Sequence, residues 1–160
     1  GDMEQHTSFF LTGLMFIGGA SASTAGGIKV NTFAVLLAAS FSSTRGKTHV
    51  TAFGREIPQA QVYRALTVLI LGIGMVFAVA FFLTITEGFP FIQILFETVS
   101  AFGTVGLSTG ITSELSEMGR LIIVLTMFLG RVGPLTLALV LAQREETSPY
   151  RYAEERVKIG

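Results

Sequence analysis

No cysteine and no tryptophan occur in the chain. The first absence excludes disulfides and thiolate metal sites and leaves the redox compartment open. Charge is scarce too: Asp, Glu, Lys and Arg together make up 14% of the residues, against roughly 25% in soluble domains. Acids and bases cancel to a formal charge of zero, so no global field points to nucleic acid. Two histidines, His6 and His49, stand far apart without ligand spacing, which argues against a zinc site. No signal peptide and no initiator methionine open the chain, and Gly1-Asp2 runs straight toward an apolar segment. It reads as the C-terminal piece of a longer polypeptide. No nucleophile, base and acid converge, so enzymatic activity is not expected.

What is abundant points to lipid. Half of the residues are hydrophobic, glycine (18) and phenylalanine (14) are both frequent, and mean hydropathy is +0.63. Such a composition suits close-packed membrane helices. Residues 65–84 carry no charge, and about 20 residues at about 1.5 Å each cover a hydrocarbon core of roughly 30 Å. Residues 121–142 form a second predicted span, apolar throughout except for Arg131. Gly72, Gly74 and Ala78 put small residues on the first span, where a neighbouring helix can approach closely.

Two further segments are too short to cross alone. Residues 8–16 lead into Gly18-Gly19-Ala20-Ser21-Ala22-Ser23-Thr24-Ala25-Gly26-Gly27, and residues 28–41 follow. Two half-helices around a small, polar stretch make a broken membrane helix, tolerated where protein or a water-filled cavity covers the irregular backbone. A phosphate cradle is excluded there, since no strand precedes the stretch and no Gly-Lys-Ser/Thr closes it. Residues 89–102 form a short apolar helix that reads as re-entrant. The fold class expected is therefore an all-α polytopic membrane protein built from helix, re-entrant pore loop, helix repeats.

Basic residues set the orientation. Arg45, Lys47, Arg55 and Arg64 precede the first full span, and Arg144, Arg151, Arg156 and Lys158 follow the last. The opposite loops carry Asp2, Glu4, Glu87, Glu114 and Glu117, with Arg120 their only base. The positive-inside rule puts 42–64 and 143–160 in the cytoplasm. An internal repeat joins the two ends: Leu14-Met15-Phe16-Ile17-Gly18-Gly19 matches Thr126-Met127-Phe128-Leu129-Gly130-Arg131 at a fixed offset of 112. The organisation expected is the end of one repeat (1–43, the broken helix), a cytoplasmic loop (44–64), a complete repeat (65–142) and a cytoplasmic tail (143–160). Within the complete repeat, 103–110 follow the short helix as a filter.

At 104–108, Thr104-Val105-Gly106-Leu107-Ser108 reads like a potassium-filter turn, in which backbone carbonyls replace an ion's hydration shell. Consecutive carbonyls turned to one axis need backbone angles that glycine adopts cheaply, and Gly106 supplies them. The preceding helix aims about half a negative charge at the turn, which favours a cation. Arg131, read as mid-span, must face protein or water, and Pro134 is expected to kink the helix beside it. Glu97 either pairs with a neighbour or adds charge at the mouth. Lys29 either caps the loop or snorkels from a helix end.

The run Ser100-Ala101-Phe102-Gly103-Thr104-Val105-Gly106-Leu107-Ser108-Thr109-Gly110-Ile111-Thr112 resembles the fourth filter of the Ktr/Trk/HKT cation transporters, the Ktr membrane subunit above all. Met127-Phe128-Leu129-Gly130-Arg131-Val132-Gly133 resembles that family's final helix, and the closing Tyr152-Ala153-Glu154-Glu155-Arg156-Val157-Lys158-Ile159-Gly160 its cytoplasmic C-terminus. The resemblance covers nearly the whole chain and places three further filters upstream. It implies potassium uptake across a bacterial plasma membrane, with K⁺ held by the backbone of Thr104, Val105 and Gly106. It further implies a gating loop at 18–27 with Lys29 beside it, and a pore-side arginine at Arg131 that limits flow. A homodimer on a cytosolic nucleotide-binding ring, sodium as activator and no covalently bound cofactor are implied in the same way. The alternatives are a Trk-type, proton-coupled potassium transporter, a secondary transporter holding an organic solute at the broken helix, and a non-transporting scaffold.

Overall fold

The computed structural model describes residues 4–20, 25–46, 49–52, 54–133 and 136. It is mostly helical: α1 (Gln5–Ile17), α2 (Val30–Thr44), α3 (Gln59–Thr86), α4 (Phe91–Gly103) and α5 (Glu117–Val132), with a one-turn 3₁₀ helix at Ile111–Ser113. A minimal antiparallel hairpin, β1 (Thr51–Ala52) against β2 (Arg55–Glu56), lies in the expected cytoplasmic loop.

The short helix α4 is the centre of the molecule. Its sequence is mostly apolar, and the one polar strip, Gln93, Glu97 and Ser100, holds groups that belong in an interior only when paired. Ile94 and every residue from Phe96 to Gly103 are buried, Phe96 and Phe102 completely. The helices α1, α3 and α5 all pack on it. Met15 of α1, Ile28 of the loop and Val68 and Val76 of α3 join Phe96, Val99 and Phe102 in one apolar cluster. The helix starts at Phe91, two residues later than its apolar run, because Pro90 holds an extended backbone at the N-cap.

Among the described residues α3 is the helix long and apolar enough to cross a membrane. At about 1.5 Å per residue it is about 42 Å long. It starts at Gln59, where the sequence places the start at Ala65, because no helix breaker intervenes after Pro58. Its buried residues Ala65, Val68, Gly72, Val76, Ala80 and Leu83 recur every three or four positions, one narrow stripe of mostly small side chains. Phe77, Phe81, Phe82 and Ile70 point outward and are exposed. Small residues inward and aromatics outward is the membrane pattern of helix packing. Hydroxyls buried in this setting bond their own helix: Thr12, Thr98 and Thr126 each donate to the carbonyl four residues back. No buried side-chain nitrogen or oxygen among the described residues lacks a partner.

The expected break between α1 and α2 is present. The chain leaves α1 at Gly18, whose φ is +74, and returns at Gly26, so that Ile28 N–H donates to the Phe16 carbonyl (3.4 Å) and Val30 N–H to that of Gly19 (3.1 Å). The second half-helix starts at Val30 rather than 28 because Gly27 and Lys29 both have positive φ. Ser21, Ala22, Ser23 and Thr24 lie outside the described residues.

α1 opens at Gln5 and α5 at Glu117, the same offset of 112. Of the expected span 121–142, residues 121–133 and 136 are described. Its helix ends at Val132, because Gly133 takes φ +88 and the residue before a proline avoids the helical region. Arg131 is in the last turn of α5, where a cation complements the helix dipole. The kink expected at Pro134 and the tail 143–160 lie outside the described residues.

Glu87, read from the sequence only as a loop acid, joins α3 to α5. It is 9% exposed and accepts from the Ser116 amide (3.1 Å) and the Ser116 hydroxyl (2.5 Å). Ser116 is the N-cap of α5, its hydroxyl oxygen accepting from Gly119 N–H at 3.0 Å. Glu87→Ala removes the acceptor that holds both Ser116 donors and is expected to lower stability by about 1 kcal/mol. Thermal unfolding of the detergent-solubilised protein measures it, and an unchanged midpoint would make the contact dispensable.

Candidate functional site

The 104–108 turn begins where α4 ends. Thr104 takes a left-handed conformation (φ 49°, ψ 41°), its amide donating to Ala101 O (3.1 Å) and the Val105 amide to Ser100 O (3.0 Å). These two bonds are the Schellman arrangement, in which glycine normally holds the left-handed place. Here a β-branched residue holds it. The Thr104 hydroxyl oxygen accepts from Gly26 N–H (2.9 Å), which ties the strained residue to the loop after α1. Gly106 has φ +83, and no atom lies within 4 Å of where a Cβ would stand. Its glycine is demanded by the backbone, not by space. Above it the Ser100 hydroxyl donates to Leu107 O (2.5 Å). The carbonyl oxygens of Thr104, Val105 and Gly106 accept no hydrogen bond among the described residues.

Among the described residues, Gly26 bonds the loop to this turn. Gly26 N–H also donates to Gly103 O (3.0 Å), and a Cβ on Gly26 would stand 2.7 Å from Phe102 O. A Cβ on Gly103 would stand 2.8 Å from Met15 O. On the other side, Gly130 of α5 lets its helix sit on Phe102, where a Cβ would overlap the carbonyl oxygen. Three elements distant in sequence thus meet on the last carbonyls of α4. Lys29 reaches back across the loop, its ammonium donating to the carbonyl of Ala25. A cavity of about 500 Å³ opens here, lined by Gly18, Gly19, Ala25, Thr104, Val105 and Arg131 together with Leu14 and Met15. It gathers three residues of the candidate loop, the base of the turn and the arginine into one space.

Glu97 is resolved in favour of a structural pairing. It is 5% exposed. One carboxylate oxygen accepts from the Ser108 hydroxyl (2.7 Å), the Thr109 amide (2.8 Å) and the Thr109 hydroxyl (3.1 Å), and the other from the Thr112 hydroxyl (2.6 Å). Ser100 lies three residues on, on the same helix face. Sequence reasoning missed the Gly26, Gly103 and Gly130 contacts, whose partners lie far away along the chain. The one available signal was the position of Gly18 and Gly130 at matched places in the repeat.

A family model described as a cation transport protein, TrkH, matches residues 1–149. The chain is 46% identical to the Ktr system potassium uptake protein B of Bacillus subtilis over 160 residues, covering 100% of this chain and 36% of that protein. It is 43% identical to the Ktr system potassium uptake protein D of the same organism over 158 residues, 99% of this chain and 35% of that protein. With the Ktr system potassium uptake protein B of Vibrio alginolyticus it shares 44% identity over 147 residues, 92% of this chain and 32% of that protein. The chain thus spans about a third of the length of these curated relatives.

Proposed function

The chain belongs to the TrkH family of cation transport proteins, and from that premise we propose that it forms the C-terminal part of the ion-conducting subunit of a Ktr-type potassium uptake system. The observation that carries the reading is the row of three successive carbonyls, Thr104 to Gly106, with no protein donor among the described residues, above a cavity that also holds Arg131 and the loop glycines. Positive φ at Thr104 and Gly106 flanks a Val105 without it. Backbone that alternates in hand brings successive carbonyls round to one side, where an extended strand would alternate them. Oxygen dipoles so arranged replace the water of a dehydrated monovalent cation, and the C-terminal end of α4 adds its partial negative charge.

In this reading 104–108 is one of four pseudo-symmetric filters, the short helix α4 is re-entrant, and the loop 18–27 with Arg131 obstructs the passage beneath. The filter mouth faces outward and the 44–64 loop faces the cytoplasm. A homodimeric subunit, a cytosolic nucleotide-binding ring and stimulation by sodium rest on the family resemblance. Two names among the relatives, the Ktr system potassium uptake proteins B and D, favour potassium as the cargo.

The test is rubidium uptake by the full-length subunit in cells lacking their own potassium uptake systems, with and without sodium. Saturable uptake stimulated by sodium is expected. No uptake from a correctly inserted protein would overturn the reading, and uptake indifferent to sodium would favour a Trk-type mechanism. Arg131→Ala is expected to raise the uptake rate several-fold at unchanged protein level, because the side chain lines the cavity at the end of a helix that packs on α4 through Gly130. Unchanged kinetics in the inserted variant would remove Arg131 from the pathway.

A further inference from the structure

The turn at 104–108 is fastened to α4 at two levels, with Gly106 slung between them. Below, Thr104 and Val105 are held by the carbonyls of Ala101 and Ser100. Above, Leu107 is held by the Ser100 hydroxyl, and Ser108, Thr109 and Thr112 by Glu97. The upper fastening is the demanding one. A carboxylate in an apolar interior is tolerated only when its acceptor sites are filled, and an ionised carboxylate has about four such sites. Four donors reach it here, three on one oxygen and one on the other, and every donor comes from the segment that leaves the turn.

We infer that Glu97 is a positioning residue for ion discrimination: it sets how far the backbone is stretched between Thr104 and Ser108, and so the separation of the carbonyls there. The inference rests on the proposed filter role of that turn. Its content is reach. One helix face, Glu97 and Ser100, fixes the outer limb of the turn at a set height, and Gly106, with no packing of its own, takes up whatever length is left. Shortening the strut by one methylene draws Ser108 and Thr109 toward α4 and changes the span. Replacing the carboxylate by an amide of equal length keeps an oxygen for Ser108 and Thr109, while the Thr112 hydroxyl can turn to accept from the new NH₂.

The experiment compares rubidium with sodium uptake by the full-length subunit in cells lacking their own systems, as wild type, Glu97→Asp, Glu97→Gln and Gly106→Ser. The readout is the ratio of the two uptakes, which a change in the amount of folded protein does not move. Glu97→Asp is expected to lower the ratio about fivefold, and Glu97→Gln to stay within about twofold of wild type. An unchanged ratio in Glu97→Asp overturns the inference. So does a ratio lost in Glu97→Gln, because charge rather than reach would then be at work. Where Glu97→Asp fails to reach the membrane, Thr112→Val replaces it: a lowered ratio supports the strut and an unchanged one overturns it. A Gly106→Ser shift without a Glu97→Asp shift sinks this inference alone. Wild type that carries neither ion sinks the filter reading, and this inference with it.

Discussion

Gly106→Ser is expected to reduce the preference for potassium over sodium by at least about tenfold, with the protein reaching the membrane at its normal level. The left-handed region costs a residue with a Cβ roughly 1–2 kcal/mol, and 1.4 kcal/mol is about tenfold in an equilibrium. Gly106 has φ +83, yet nothing stands within 4 Å of its Cβ position. Packing therefore neither rejects the serine nor holds it in place. The strain is relieved by rotating the peptide groups on either side, which carry the carbonyls of Val105 and Gly106. Because both ends of the turn are bonded to α4, the distortion stays in the turn and the fold survives. Paired rubidium and sodium uptake measures the effect. Normal discrimination in a well-inserted variant would make this an ordinary glycine turn.

Gly130→Ala is expected to abolish uptake through loss of packing. A Cβ there would overlap Phe102 O and stand 2.9 Å from Phe102 C and 3.0 Å from its Cα. All three are backbone atoms of a completely buried residue, so no side chain can swing aside. Relief requires moving α5 away from α4. Overpacking costs about 1–3 kcal/mol where side chains adjust, and a backbone obstacle lies at the upper end. Gly74→Ala is the control, since its Cβ position meets nothing within 4 Å. The detergent-solubilised Gly130→Ala protein should unfold at lower temperature or fail to accumulate, with Gly74→Ala indistinguishable from wild type. Equal behaviour of the two would mean that α5 does not bear on α4 through this glycine.

The helices were legible because each rests on a local signal. An uncharged run marks α3, the Gly-rich break separates α1 from α2, and the 112-residue offset sets the start of α5 once that of α1 is known. Boundaries slipped where hydropathy and turn chemistry disagreed. Apolarity continues past Gly133 to Ala142, while Gly133-Pro134 carries the stop signal that ends α5. The pairings around the turn were not legible. Gly26 meets Thr104 across 78 positions, and Glu87 meets Ser116 across 29. Nothing in the composition of either segment names its partner. Glu97 was visible as an acid on an apolar helix, but its four donors follow only from the path of the chain after Gly106.

The arrangement of α3, with small residues inward and phenylalanines outward, reverses the usual map of mutational tolerance. In a soluble protein the bulky apolar side chains are the ones that drift cannot change. Here Phe77, Phe81 and Phe82 stand exposed, and another large apolar residue can serve there at little loss. Gly72 is different: a Cβ would come within 3.3 Å of the Phe102 ring and 3.4 Å of Ile28. Drift in this chain is therefore confined most tightly at its smallest residues, and the addition of one methyl group does more harm there than the exchange of a whole ring outside.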